Sequence, residues 1–334
     1  MTNCSNEFPT TDIYYDEVGS DTGMLVCLGI VGALAFVCVG IFVEEVSFIR
    51  RNYPYKVHGN IANNILIILA LFPVMCITKL IPVFVPTSNV LLDLMASCYI
   101  SVCIYVFITL TISLYGGGGS MVLTLRAAGD KVSIATPPCC CCLCCFLKPI
   151  TLSRMSLGVF KLLAMQVMIV RPFLLFIAAV LWTDGNYEEQ VDSREPYVYI
   201  VIMSTVSTLL SMYGLVVIFR ASRTHLSHFS LVLKFVPLQA MLIFDVIQTL
   251  VFNVLANNDI PECVGQLGPR VRGTNFNNLL LVLESFLLCL LARRGYRMVP
   301  PDHIIDPVDP VQGTNTAKDY TDGYQNGGLG YDDV

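Results

Sequence analysis

Charge is what this chain has least of. Aspartate, glutamate, lysine and arginine together make up 13% of its 334 residues, against 55% for apolar side chains, and the mean hydropathy is +0.67. A soluble globule carries roughly 25% charged residues, because its surface has to be hydrated. A water-soluble domain is therefore excluded, and the chain reads as an integral membrane protein. No cluster of lysine and arginine forms a basic block, which removes nucleic acid from the expected partners. Nothing resembles a phosphate-cradling loop, a nucleophile elbow or a zinc-protease helix, so neither an enzyme nor a cofactor is expected. Internal repeats are absent too. The polar opening stretch 1–23 has no basic segment followed by a short apolar one, so no cleaved signal peptide is expected.

Long apolar runs take the place of charge. A helix needs about 20 mainly apolar residues to cross the hydrocarbon of a bilayer. The stretches 24–43, 61–85, 94–114, 160–182, 197–219, 235–255 and 274–292 meet or approach that length. The first, third and fifth windows contain no charged residue at all. The expected fold is an all-α seven-transmembrane helical bundle over 24–294. A polar segment (1–23) precedes it and a tail (295–334), rich in proline, glycine, aspartate and asparagine and expected to be disordered, follows.

Charge in the links sets an orientation. Arg50, Arg51 and Lys56 follow the first span. Arg126, Lys131, Lys148 and Arg154 lie between the third and fourth, and Arg220, Arg223 and Lys234 between the fifth and sixth. Arg293, Arg294 and Arg297 follow the last. The alternate links are uncharged (86–89), acidic (183–196) or hold only Arg270 and Arg272 (257–273). The positive-inside rule then makes the amino terminus extracellular and the carboxyl terminus cytosolic. The sequon at Asn3 would lie outside, where it can be glycosylated.

Six cysteines crowd into seven residues of one cytosolic link: Cys139, Cys140, Cys141, Cys142, Cys144 and Cys145, within the loop 137–149. Juxtamembrane cysteines on that side accept palmitoyl chains. Each buried methylene contributes about 0.8 kcal/mol, so several chains would hold the loop against the inner leaflet. The C-x-x-C spacings within the cluster also admit a metal reading. Contiguous cysteines crowd one tetrahedral centre, however, and no second pair or histidine lies near, so no metal is expected. An inert loop of reduced thiols is the plain alternative. Most of the fourteen cysteines sit in this cluster or in apolar runs, which argues against a disulfide framework.

Four ionisable residues lie well inside spans, away from their edges: Lys79, Arg171, Asp245 and Glu284. A charge at the bilayer centre costs about 2.5–3.5 kcal/mol on insertion scales, so such residues face a bundle interior or a wet cavity. Two are basic and two acidic, so mutual pairing is one reading. A polar path in which Lys79 or Arg171 meets a solute anion is the other. Lys79 can also snorkel to the outer interface. Gln166, Gln239 and Gln248 sit at similar depths, as interhelical links or as contacts for a solute. Pro73, Pro82, Pro172 and Pro237 interrupt spans, which packing alone can explain. His225 and His228 read as solvated loop residues.

Short motifs recur in order along the chain: Ile41-Phe-Val-Glu-Glu45, the Pro138 to Cys145 cluster, Asp184-Gly-Asn-Tyr187 and Ser207-Thr-Leu-Leu210. Then come Arg223-Thr-His-Leu226, Lys234-Phe235 with Gln239, Phe252-Asn-Val-Leu-Ala-Asn257 and Leu281-Val-Leu-Glu-Ser-Phe286. In these the chain resembles the alpha subunits of organic solute transporters, within their wider family of seven-span proteins. The resemblance implies a facilitative, sodium-independent carrier of amphipathic organic anions such as bile acids and conjugated steroids. It implies a single-span beta-type subunit as partner, palmitoylation of the cysteine cluster, and a solute groove facing the membrane lipids. A higher oligomer and residence in the plasma membrane, basolateral in an epithelium, belong to the same picture. By motif match, Gln166, Arg171, Gln239, Gln248 and Glu284 sit where the family has similar residues, whereas Asp245 departs from the pattern. Two other classes share the architecture. A G-protein-coupled receptor is disfavoured: the third span ends Thr111-Ile-Ser-Leu-Tyr115 rather than in an acidic-arginine-aromatic triplet, and the seventh lacks Asn-Pro-x-x-Tyr. A palmitoylated scaffold or trafficking protein without transport is the remaining alternative.

Overall fold

A computed structural model describes residues 8–19, 22–53, 55–129, 131–132, 150–183 and 196–297. Asn3, the six clustered cysteines, most of the link 183–196 and the tail from 298 lie outside the described residues. In chain order the helices are α1 (Thr11–Val18), α2 (Thr22–Asn52), α3 (Tyr55–Leu69), α4 (Leu71–Phe84), α5 (Asn89–Leu114) and α6 (Gly118–Ala127). They continue with α7 (Arg154–Thr183), α8 (Pro196–Ser222), α9 (Leu231–Ala256) and α10 (Pro269–Arg297). Two short strands, β1 (Lys131–Val132) and β2 (Ile150–Thr151), pair antiparallel on either side of the cysteine-rich loop.

Seven membrane-length helical segments are present, α3 and α4 together making the second. Each runs past its apolar window, because a hydropathy window stops at the first charge while the backbone ladder does not. Two corrections follow. The third span opens at Asn89 and takes Asp93 into the bundle, so it is not free of charge. The sixth opens at Leu231 and makes Lys234 a buried helical residue, where the link tally had counted it as a loop cation. The second span breaks at Ala70. Pro73 has no N–H to offer the Leu69 carbonyl, so the helix ends and restarts. Just before the break, the Tyr99 hydroxyl of α5 donates to the Ile67 carbonyl at 2.9 Å.

The last helix is the hub. α10 packs against α9, α4 and α2, while α5 packs against α3, α4, α7 and α8. The core lies where these two meet α4, around Phe72, Met75, Ile104, Phe107, Leu281 and Val282. α7 pairs with α8, α9 rests on α10, and α7 and α9 have no substantial backbone contact. The segment 1–23 is more than a polar leader. α1 buries Tyr14 against Leu267 and Val271, and Asn275 donates to the Tyr14 hydroxyl at 3.2 Å. Burial, and then the neighbouring Tyr15, push the Tyr14 phenol up to about 12. This end of the bundle is called the α1 end, and the opposite one the Arg297 end.

Association of helices in lipid relies on close backbone approach at small residues. A Cβ at Gly214 of α8 would lie 2.9 Å from the Phe160 carbonyl of α7. One at Gly295 of α10 would lie 2.9 Å from the Leu233 carbonyl of α9. Backbone cannot swing aside as a flexible side chain can. Gly214→Ala and Gly295→Ala are each expected to lower stability by about 1–3 kcal/mol, the range for overpacking. Gly32→Ala, with open space around its position, is the control and should melt like the parent protein in detergent.

Candidate functional site

The densest charge inside the bundle gathers around one ammonium. Lys79 of α4 is 4% exposed. Its Nζ lies 2.7 Å from Asp93 Oδ1 of α5 and 3.3 Å from Asp245 Oδ1 of α9. Asn89 donates to Asp93 Oδ2 at 3.3 Å, and Asn278 of α10 donates to Asn89 at 3.1 Å. Four helices are thus joined through one polar chain. The snorkelling reading of Lys79 fails for this reason: both its partners lie inside the bundle. The Asp93 side chain, 42% exposed, is the open edge of the group.

Arg171 enters from a third direction. On α7 it shares a seam with Ala164, Val167 and Ala178, spaced by three, four and seven residues, and that seam is buried. Arg171 is 9% exposed, and among the described residues its guanidinium has no hydrogen bond and no ion pair. Its electrostatic neighbours are Asp245 and Cys98. Asp245 is already bonded to Lys79, and α7 does not pack on α9. Its five N–H donors thus have no hydrogen-bond partner among the described residues.

The remaining expected residues divide. Gln166 is spent on packing: it donates to the Ser207 carbonyl at 2.7 Å and accepts from the Ser207 hydroxyl at 2.8 Å, locking α7 to α8. Gln248 donates to Glu284 in a short contact between α9 and α10, apart from the Lys79 group. The Gln248 carbonyl oxygen and one Glu284 oxygen are buried without a partner. Gln239 likewise buries an unpartnered carbonyl oxygen. The four ionisable residues do not neutralise one another as a set. Lys79 and Asp245 do, with Asp93 as the third member.

Sequence reasoning missed Asp93 and Asn89, polar residues at the start of a helix whose apolar window begins later, whereas Asn278 lies within the polar outer end of the seventh window. It also missed a clamp at the Arg297 end. Arg293 reaches Glu44 at 2.7 Å and Glu45 at 3.1 Å, and Arg297 reaches the same two carboxylates at 2.6 and 2.7 Å. The signal was available: arginines four apart on one helix face, opposite adjacent glutamates at the end of another. At the α1 end, Cys263 is disulfide-bonded, which the cysteine count did not foresee. His228 is exposed as expected, while His225 is half-buried.

The profile of the family described as organic solute transporter Ostalpha matches residues 27–300. The chain belongs to that family. It is 32% identical over 225 residues to the organic solute transporter subunit alpha of Leucoraja erinaceus, covering 67% of this chain and 63% of that protein. The match therefore spans less than two thirds of that relative's length. The subunit alpha of Danio rerio is 27% identical over 284 residues, 84% of this chain and 85% of the relative. That of Homo sapiens is 28% identical over 280 residues, 82% and 79%. No solved structure matches the chain. The chain is thus a multi-pass membrane protein of the organic solute transporter Ostalpha family.

In this organic solute transporter fold, the Lys79 group is a structural join as well as part of the polar interior. Removing the ammonium leaves Asp245 largely buried without its cation, beside the half-exposed Asp93. Lys79→Met is expected to cost about 3–5 kcal/mol, the range for breaking a buried pair by removing one partner. The triple change Lys79→Met, Asp93→Asn, Asp245→Asn should recover most of it. Thermal melting of the purified protein checks both.

Proposed function

We propose that the chain is the seven-span subunit of a facilitative carrier for amphipathic organic anions, bile acids and conjugated steroids among them. The observation that carries this reading is Arg171, a buried guanidinium whose hydrogen bonds are unmade. A carboxylate or sulfate offers two oxygens in the geometry a guanidinium prefers. The membrane-side face of the same helix is apolar and exposed at Ile169, Phe173 and Phe176. An amphipathic solute fits that combination, with its ring system in the apolar layer and its head group on Arg171. Asp245 competes for the same cation and tunes the preference among anions.

A single-span beta-type partner is part of the proposal, because the relatives are named as subunits. So are palmitoyl chains on Cys139 to Cys142, Cys144 and Cys145, which would hold that loop at the inner leaflet. The amino terminus is assigned to the outside. Link charges support this, and so does the disulfide at Cys263, since such bonds persist in oxidising compartments. The plasma membrane is then the site of action, and Asn3 is open to glycosylation.

Uptake of a labelled steroid sulfate tests the reading in cells expressing the chain with a single-span partner, normalised to surface protein. A charge-assisted hydrogen bond contributes about 1.5–3 kcal/mol. Arg171→Gln is therefore expected to cut uptake roughly tenfold or more, at about 1.4 kcal/mol per factor of ten. Asp245→Asn should lower KM for the anion. Absence of uptake with every beta-type partner would count against a carrier and in favour of a scaffold.

A further inference from the structure

Four residues into α9, Lys234 is 3% exposed, and among the described residues its ammonium has neither a hydrogen bond nor a carboxylate. Its neighbour is the Tyr296 ring, 5.4 Å from Nζ to the centroid. The Tyr296 hydroxyl is itself buried without a partner. Backbone packing holds the two together. Gly295 lies so close to Leu233 that no Cβ fits between them, and Lys234 and Tyr296 are the residues that follow.

The setting is poor for a cation with only a structural role. Lys234 stands in the first turn of its helix, where unbonded N–H groups already make a positive field. The Ser230 side chain at the N-cap makes no cap hydrogen bond to that turn. Helical side chains lean toward the amino end, so the ammonium adds to the same field. A cation–π contact offsets only part of the cost of burying an unpaired ammonium. An apolar side chain would pack there at no such cost. What the site lacks is an anion.

We infer that Lys234, the first turn of α9 and the Tyr296 hydroxyl form a second oxyanion station, which takes the carboxylate or sulfate head of the solute that Arg171 receives. The inference rests on the carrier reading above. Lys234 and Asp245 are eleven residues apart on α9, about 16 Å along its axis. That is about half the hydrocarbon thickness. An anion leaving the Arg171 region toward the Arg297 end meets Lys234 as the next cation on that helix. Phe219 of α8 and Phe235 of α9 stack at 3.8 Å and tie the two helices beside the station. Entry of a head group requires those rings to part.

The test uses the full chain with its partner in proteoliposomes, and the same complex in detergent. Lys234→Gln should reduce flux of radiolabelled steroid sulfate about tenfold while melting at or above the parent temperature, because an unpaired buried charge has gone. Lys234→Arg should keep a substantial part of the flux. Steroid sulfate should protect the parent complex against thermal unfolding and protect Lys234→Gln less. Parental flux in Lys234→Gln overturns the station and leaves the carrier reading standing. No flux in the parent, with protection that depends on Lys234, sinks the carrier reading and keeps the station. Early unfolding of Lys234→Gln marks a structural lysine and overturns the station. So does equal protection by inorganic phosphate, or a phospholipid seen by native mass spectrometry on the parent complex and absent from the variant.

Discussion

A buried ammonium held between two carboxylates is the constraint on which the middle of this bundle depends. Lys79 cannot be stable there alone, and neither can Asp93 or Asp245. Together they fix α4, α5 and α9 at one depth, with Asn89 and Asn278 extending the join to α10. Helices in lipid lack a strong hydrophobic drive toward one another, so such joins and close backbone contacts decide which faces meet. The Lys79 group is strong for the same reason that Arg171 is available. Once Asp245 serves Lys79, Arg171 is left with a field and no bond.

The two ends of the molecule use charge differently. At the Arg297 end, Glu44 and Glu45 clamp Arg293 and Arg297, and the ring of Phe48 lies under Arg297. This ties the first span to the last and leaves little free charge on either. Lys234, at the same end, has no such answer. Cations saturated by carboxylates and cations left open therefore coexist in one bundle. The open ones lie on α7 and α9, which do not pack on each other. The saturated set holds the helices, and the open set has no such joining role among the described residues.

How far the site could be read in advance depended on where each residue lies relative to a hydropathy window. Arg171, Asp245 and Lys79 stand within apolar runs and are conspicuous there. Asp93 stands one residue before its run and fell between link and span, and Lys234 stands one residue before its own and was counted with a link. Gln166 was visible, but whether it serves packing or solute turned on Ser207, forty-one residues away. Glu284 was expected in a charge-balanced set and instead faces Gln248. Pairing is a matter of which helix faces which, and that has no signal in a single chain.

Composition and run length alone determined that the protein is a seven-span helical bundle, because a helical crossing of a bilayer demands about twenty apolar residues and satisfies its backbone within the segment. The ordered motifs alone determined its family. Only the tertiary structure decided that Lys79 belongs to Asp93 and Asp245, that Glu44 and Glu45 belong to Arg293 and Arg297, and that Arg171 and Lys234 have no ion pair among the described residues. The physical reason is range: hydrophobic burial acts along the chain at helical spacing, whereas an ion pair acts over a few ångströms between residues that the sequence holds far apart.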